Sequence, residues 1–127
     1  MSTSVTRSGD ARITETPNAV MSTLVSPELT GATNLSVWRV HFGAEASGPV
    51  HAFDQQQVWL LETGLAELEV DGVVHDLGAG DAIQLAAGAV RQVRALEAST
   101  FVVCGSGFSR VIVAGHPQEG TTPAWIR

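Results

Sequence analysis

Lysine and tyrosine are absent from this 127-residue sequence, and cysteine occurs once, at Cys104. Without lysine a Schiff-base mechanism is excluded, and so is a Walker-type phosphate loop, whose lysine reaches the phosphates. Without tyrosine no phenol can act as general acid or base. A single cysteine closes no internal disulfide, which suits a reducing, cytoplasmic setting. Charge is also sparse, at 16% of residues, and the 7 basic side chains, all arginines, face 13 acidic ones. The resulting net charge of −6, with no basic cluster, argues against nucleic acid or an anionic membrane as a partner. No apolar run nears the ~18 residues of a membrane span. The polar start, Met1 to Arg12, lacks the apolar core of a signal peptide.

What is present is 44% hydrophobic residues, 13 glycines and 5 prolines, in a length that fits one domain. No window keeps a 3.6-residue period for three turns, whereas short apolar runs alternate with turn residues at close spacing. This pattern predicts an all-β domain over residues 12–127, preceded by a flexible, Ser/Thr-rich arm over residues 1–11. Strands are expected at Leu35–Phe42, Val58–Leu61, Ala82–Leu85, Val90–Leu96, Phe101–Cys104 and Arg110–Ala114. The clearest local signal is Leu65 to Leu77, where Ala66, Leu68 and Val70 alternate with Glu67 and Glu69 before an Asp71-Gly72 hairpin turn. In that register Val70 faces Val73, Leu68 faces His75 and Ala66 faces Leu77. The turn-rich tail ends in Ala124-Trp125-Ile126, which suits docking on the body of the chain or on a neighbouring subunit.

The chemistry-bearing stretch runs from Gly48 through His51, Phe53 and Gln57 to Gly64, and continues after the hairpin from Gly80 through Ala86 and Gly88 to Arg91. Its spacing resembles the two motifs of the cupin superfamily. The first motif has two histidines two apart, an acidic residue four further on and a glycine seven beyond that. Those slots hold His51, Phe53, Gln57 and Gly64 here. The second has a glycine, a proline six later, a glycine two after and a histidine three further, and its slots hold Gly80, Ala86, Gly88 and Arg91. The spacing agrees at every step, with the hairpin between the motifs, over residues 35–115. The resemblance implies a cupin-type double-stranded β-helix, or jelly-roll barrel, and a homodimer.

Departures from the family pattern bear on function. In metal-binding cupins the ligands occupy the slots filled here by His51, Phe53, Gln57 and Arg91. Phenylalanine cannot ligate, arginine stays protonated and repels a cation, and Gln57 offers only a neutral carbonyl. A catalytic Zn²⁺, Fe²⁺ or Mn²⁺ usually takes three or more protein ligands. No metal or other cofactor is therefore expected, unless His41 or His75 moves in.

Strand alternation puts His51, Phe53, Gln57 and Trp59 on one inner face, with Arg91 converging on the same cavity and Trp38 as a further wall. Such a pocket fits a small anionic or carbonyl-bearing molecule: Arg91 anchors an oxygen, Gln57 orients it, aromatics hold the body. His51 is then the one titrating group inside, a general base or acid, or else an inert remnant. Arg91 is an anion anchor, or the structural partner of Asp81 or Asp54. His75 reads as a core histidine, His41 takes an undecided face, and His116 reads as solvated.

Three functions remain open. The first is metal-independent acid–base chemistry on a carbonyl compound, of the cyclase, isomerase or dehydratase type, with His51 as catalytic residue. The second is a small-molecule-binding cupin without chemistry. The third is a metal-dependent oxygenase with atypical ligands.

Overall fold

The computed structural model describes residues 3–127. Nine strands follow in order: β1 Arg12–Glu15, β2 Val20–Val25, β3 Leu35–Phe42, β4 Gln57–Thr63, β5 Leu65–Val70, β6 Val73–Gly78, β7 Ala82–Leu85, β8 Arg91–Ala95 and β9 Ser99–Ser106. They build two antiparallel sheets. The larger has six strands in the order β1-β2-β3-β9-β4-β7, and the smaller has three in the order β6-β5-β8. Of the expected arm, Ser8–Asp10 forms one 3₁₀ turn, and Met1 and Ser2 lie outside the described residues. No helix among the described residues is long and apolar enough to cross a membrane.

Alternation explains the core. On β3 the inward positions are Ser36, Trp38, Val40 and Phe42. Pairing sets Trp38 beside Val103 and Val40 beside Phe101, and β4 lays Trp59 and Leu61 against the same two residues from the other side. The inner face is thus a continuous apolar row across three strands, covered by Ala66, Leu68, Val93 and Ala95 of the small sheet. Period-two burial of this kind stabilises each strand only in one register.

The Asp71-Gly72 turn is as expected, with φ of 48° and 83° at its two residues, the signature of a type I′ hairpin. Its register pairs Val70 with Val73, Leu68 with His75 and Ala66 with Leu77. His75, however, is exposed. It lies on β6, the edge strand of the small sheet, where burial begins only at Leu77 and leaves Val73 and His75 of the same face exposed, so the core reading of this histidine is corrected.

The expected strand at Arg110–Ala114 is also corrected. Only Val111 forms a bridge, to Phe53. Around it the backbone divides its hydrogen bonds between two neighbours: Ile112 donates to Ala52 and Arg110 accepts from Asp54, while Val111 exchanges bonds with Gly120 and Thr121. Partners on two irregular segments leave no ladder to extend.

Candidate functional site

The segment before β4 brings the site together. From Glu45 to His51 it runs along β8 without becoming a regular strand, held by Glu45 N–H to Ala95, Gly48 N–H to Val93, and a reciprocal His51–Arg91 pair at 2.9 and 2.8 Å. That pair fixes the two side chains next to each other. Two residues on, Phe53 is buried, and its ring lies parallel to the His51 imidazole, with centroids 5.5 Å apart and 13° between planes. The Arg91 guanidinium stands 5.2 Å over the same Phe53 ring, within reach of a cation–π attraction.

Gln57 opens β4 and Arg91 opens β8, and both are buried, at 1% and 2% exposure. Arg91 donates from Nη1 to Gln57 Oε1 at 3.0 Å and from Nε to the Ala89 carbonyl at 3.0 Å. The Trp59 indole N–H donates to the same Gln57 Oε1 at 3.1 Å. Both partners of that oxygen are obligate donors, so the amide orientation is dictated. Gln57 Nε2, Arg91 Nη2, His51 Nδ1 and Trp38 Nε1 are buried without a hydrogen-bond partner. An unpaired buried polar group is costly, and here several belong to the wall of one cavity.

That cavity has a volume of about 500 Å³, in the range of small-molecule sites. All six residues singled out from the sequence, His51, Phe53, Gln57, Trp59, Arg91 and Trp38, line it. Its wall carries no aspartate or glutamate; the rest is largely apolar, with Met21, Val40, Phe42, Val93 and Trp125 among the contributors. Neither suggested structural partner reaches Arg91: Asp81 accepts from Gly78 N–H, and Asp54 from Arg110 N–H. The ion pairs among the described residues join Arg12 and Arg127 to Glu28, and Arg39 to Glu62. Arg91 is a buried cation without a paired carboxylate. Burial lowers its pKa to about 10, against the upward pull of Asp71, so it stays charged at neutral pH.

His116 was read as solvated and is instead a wall residue of the cavity. The turn after Gly115 carries its imidazole back over His51, with ring centroids 4.8 Å apart. Gln118 N–H donates to His116 Nδ1 at 3.0 Å, which leaves the proton of the neutral ring on Nε2. Burial first, then the neighbouring His116 and Arg91, push the His51 pKa down to about 4. His51 is therefore neutral at pH 7. The other histidines stand apart. His41 lies on the outer face of β3, between Ser22 Oγ at 3.3 Å and Thr100 Oγ1 at 3.2 Å, and His75 is on the exposed edge.

The tail also packs onto its own chain. Arg12 donates to the Ala124 and Arg127 carbonyls, Thr23 Oγ1 donates to the Trp125 carbonyl at 2.6 Å, and Ile126 is fully buried. This holds Trp125 at the cavity wall.

With this geometry in hand, solved structures supply the comparison. An RmlC-like cupin from Shewanella frigidimarina superposes with a TM-score of 0.72 at 21% identity, covering 83% of this chain and 91% of that one. KdgF from Halomonas sp. gives 0.73 at 20%, covering 83% and 94%. The fold is a cupin barrel. An oxalate decarboxylase from Lactobacillus farciminis, solved as a formate complex, gives 0.73 at 18%, and the match takes 84% of this chain but only 33% of that longer one. No protein-family model matches the sequence, and neither does any curated protein.

Many cupins hold a metal in the four slots named above, so the donors here were tested against one. Gln57 Oε1 already accepts two hydrogen bonds, Phe53 has no lone pair, and the fourth slot is the Arg91 cation. His116 Nδ1 is engaged by Gln118. Among the described residues no group of three or more His, Cys, Asp or Glu converges. These residues do not fit a divalent cation.

Proposed function

We propose that this cupin barrel performs metal-independent acid–base chemistry on a small carbonyl compound. The observation that carries this reading is the pairing of Arg91 with Gln57 beside a neutral His51: a buried cation in no ion pair with a carboxylate, an amide with a free N–H₂, and a base within one wall. A carbonyl oxygen bound by Arg91 and Gln57 gains charge when a neighbouring C–H is broken. Fixed donors that are themselves buried, as Gln57 and Arg91 are, stabilise such charge without reorganising. The proton goes to the His51 imidazole, and the C–H electron pair moves into the enolate. Return of the proton to another carbon completes an isomerisation; delivery of the His51 proton to a departing β-hydroxyl, which leaves as water while the enolate electron pair forms the C=C bond, completes a dehydration. Trp38, Phe53 and Trp59 hold the carbon skeleton. An oxalate decarboxylase among the fold neighbours is consistent with barrels of this shape acting on small carbonyl-bearing molecules.

The test is solvent-deuterium exchange. Ketones and β-dicarbonyl compounds incubated with the protein in D₂O are followed by proton NMR for exchange next to the carbonyl. Exchange is expected with the wild-type chain, and His51→Ala should lose at least ~10²-fold in rate. A near-wild-type rate in that variant contradicts the role of His51.

A binding protein without chemistry is the second reading, and the His51 pKa of about 4 favours it, because a base works best with a pKa near the operating pH. A metabolite recovered unchanged from the purified protein, with no exchange, would support it.

A further inference from the structure

We infer that the natural ligand is an organic monocarboxylate with a flat, apolar body, seated with its carboxylate on Arg91 and Gln57. This goes beyond the acid–base reading and rests on the binding reading of the same pocket, because a carboxylate seated there takes the donors that an enolate oxygen would use. Hydrogen-bond arithmetic points there. Gln57 spends its acceptor on Trp59 and Arg91, so its whole N–H₂ remains to donate. Arg91 spends Nε on Ala89 and one Nη1 hydrogen on Gln57, so its second Nη1 hydrogen and both on Nη2 remain to donate. Gln57 Nε2 and Arg91 Nη2 are buried and unpartnered. The five N–H bonds left over far exceed the two lone pairs of a ketone oxygen and come near the roughly four lone-pair sites of one carboxylate. A ketone, with a single oxygen, would leave more of this set unpaired.

Charge narrows the class further. Arg91 is the single arginine of the cavity wall, which carries no lysine and no acid. One negative charge neutralises it. The two wall histidines stand close enough to repel each other if both are charged, and His51 is disfavoured as a cation by burial beside Arg91. A dianion such as phosphate or a dicarboxylate would carry an unmatched charge into an apolar chamber, which is expensive. The rest of the wall selects the body. Trp38, Phe42, Phe53, Trp59 and Trp125 are aromatic, and flat rings stack on such surfaces. The volume of about 500 Å³ exceeds what formate or acetate needs.

Isothermal titration calorimetry on the full tag-free chain tests this with 2-naphthoate, its neutral isostere 2-naphthamide, and acetate. Expected is one saturable naphthoate site per chain, with naphthamide and acetate each weaker by at least ~10-fold. Two variants locate it. Arg91→Gln should lose at least ~10-fold in naphthoate affinity. Gln57→Glu keeps the oxygen that Trp59 and Arg91 need but turns the donor into an anion, so the fold should persist and the preference should reverse towards naphthamide. Equal binding of naphthoate and naphthamide, or Gln57→Glu leaving naphthoate affinity intact, overturns the carboxylate assignment and leaves the deuterium-exchange test of His51 unaffected. No binding of any probe by the folded chain also overturns the assignment.

Discussion

Gln57 Oε1 accepts hydrogen bonds from both the Trp59 indole and the Arg91 guanidinium, at 3.1 and 3.0 Å. One side chain therefore joins β4 to β8 across the two sheets and sets the direction of its own N–H₂ and of the Arg91 guanidinium. Gln57→Leu removes that oxygen and leaves a buried cation and an indole N–H with one partner fewer. The expected cost is about 2–4 kcal/mol, read from urea unfolding with the slope unchanged. A cost under ~0.5 kcal/mol would mean that water replaces the amide freely.

The histidine pair governs behaviour in acid. The His51 pKa falls from 6.5 to about 4 on folding, so between those values the unfolded chain binds more protons than the folded one. Stability is then full above about pH 6.5 and is lost as pH falls through about 4. Thermal unfolding should show Tm falling across that window, and His51→Gln should flatten this part of the profile. Because His116 contributes to the shift, His116→Ala should raise the His51 titration midpoint, followed through its ring-proton NMR signal. An unchanged midpoint would contradict the pairing of the two rings.

A corner of the barrel rests on Gly64. It sits at φ +97°, between β4 and β5, and a Cβ there would collide with Ser99 Oγ and the Ala98 carbonyl. Both the backbone angle and the space exclude a side chain. Gly64→Ala should destabilise by at least ~2 kcal/mol in chemical denaturation, whereas Gly72→Ala, with open space around it, should lose less.

Much of this architecture was legible in the residues. Short apolar runs bounded by turn residues gave Leu35–Phe42 and Ala82–Leu85 with the observed ends, and the Asp71-Gly72 pair gave the hairpin and its register. Motif spacing brought His51, Phe53, Gln57, Trp59 and Arg91 to one cavity because barrel strands turn inward residues together. His116 escaped because nothing local marks it. Its position depends on a turn through Gly115 and Gly120 that folds the tail over His51, a long-range contact without periodicity. His75 misled for the opposite reason: it shares the inward face of Leu77, but on the edge strand β6 that face is covered only from Leu77 onward, which alternation does not mark. The apolar Arg110–Ala114 run looked like a strand, yet its partners lie on two irregular segments.

The most direct measurement is elemental analysis of tag-free purified protein for Mn, Fe, Co, Ni, Cu and Zn. A pocket built on the Arg91 cation, the doubly engaged Gln57 and Phe53 should carry far less than one metal per chain, and added Zn²⁺ or Fe²⁺ should not raise Tm. Close to one tightly held metal per chain, lost together with His51, would contradict the metal-independent site.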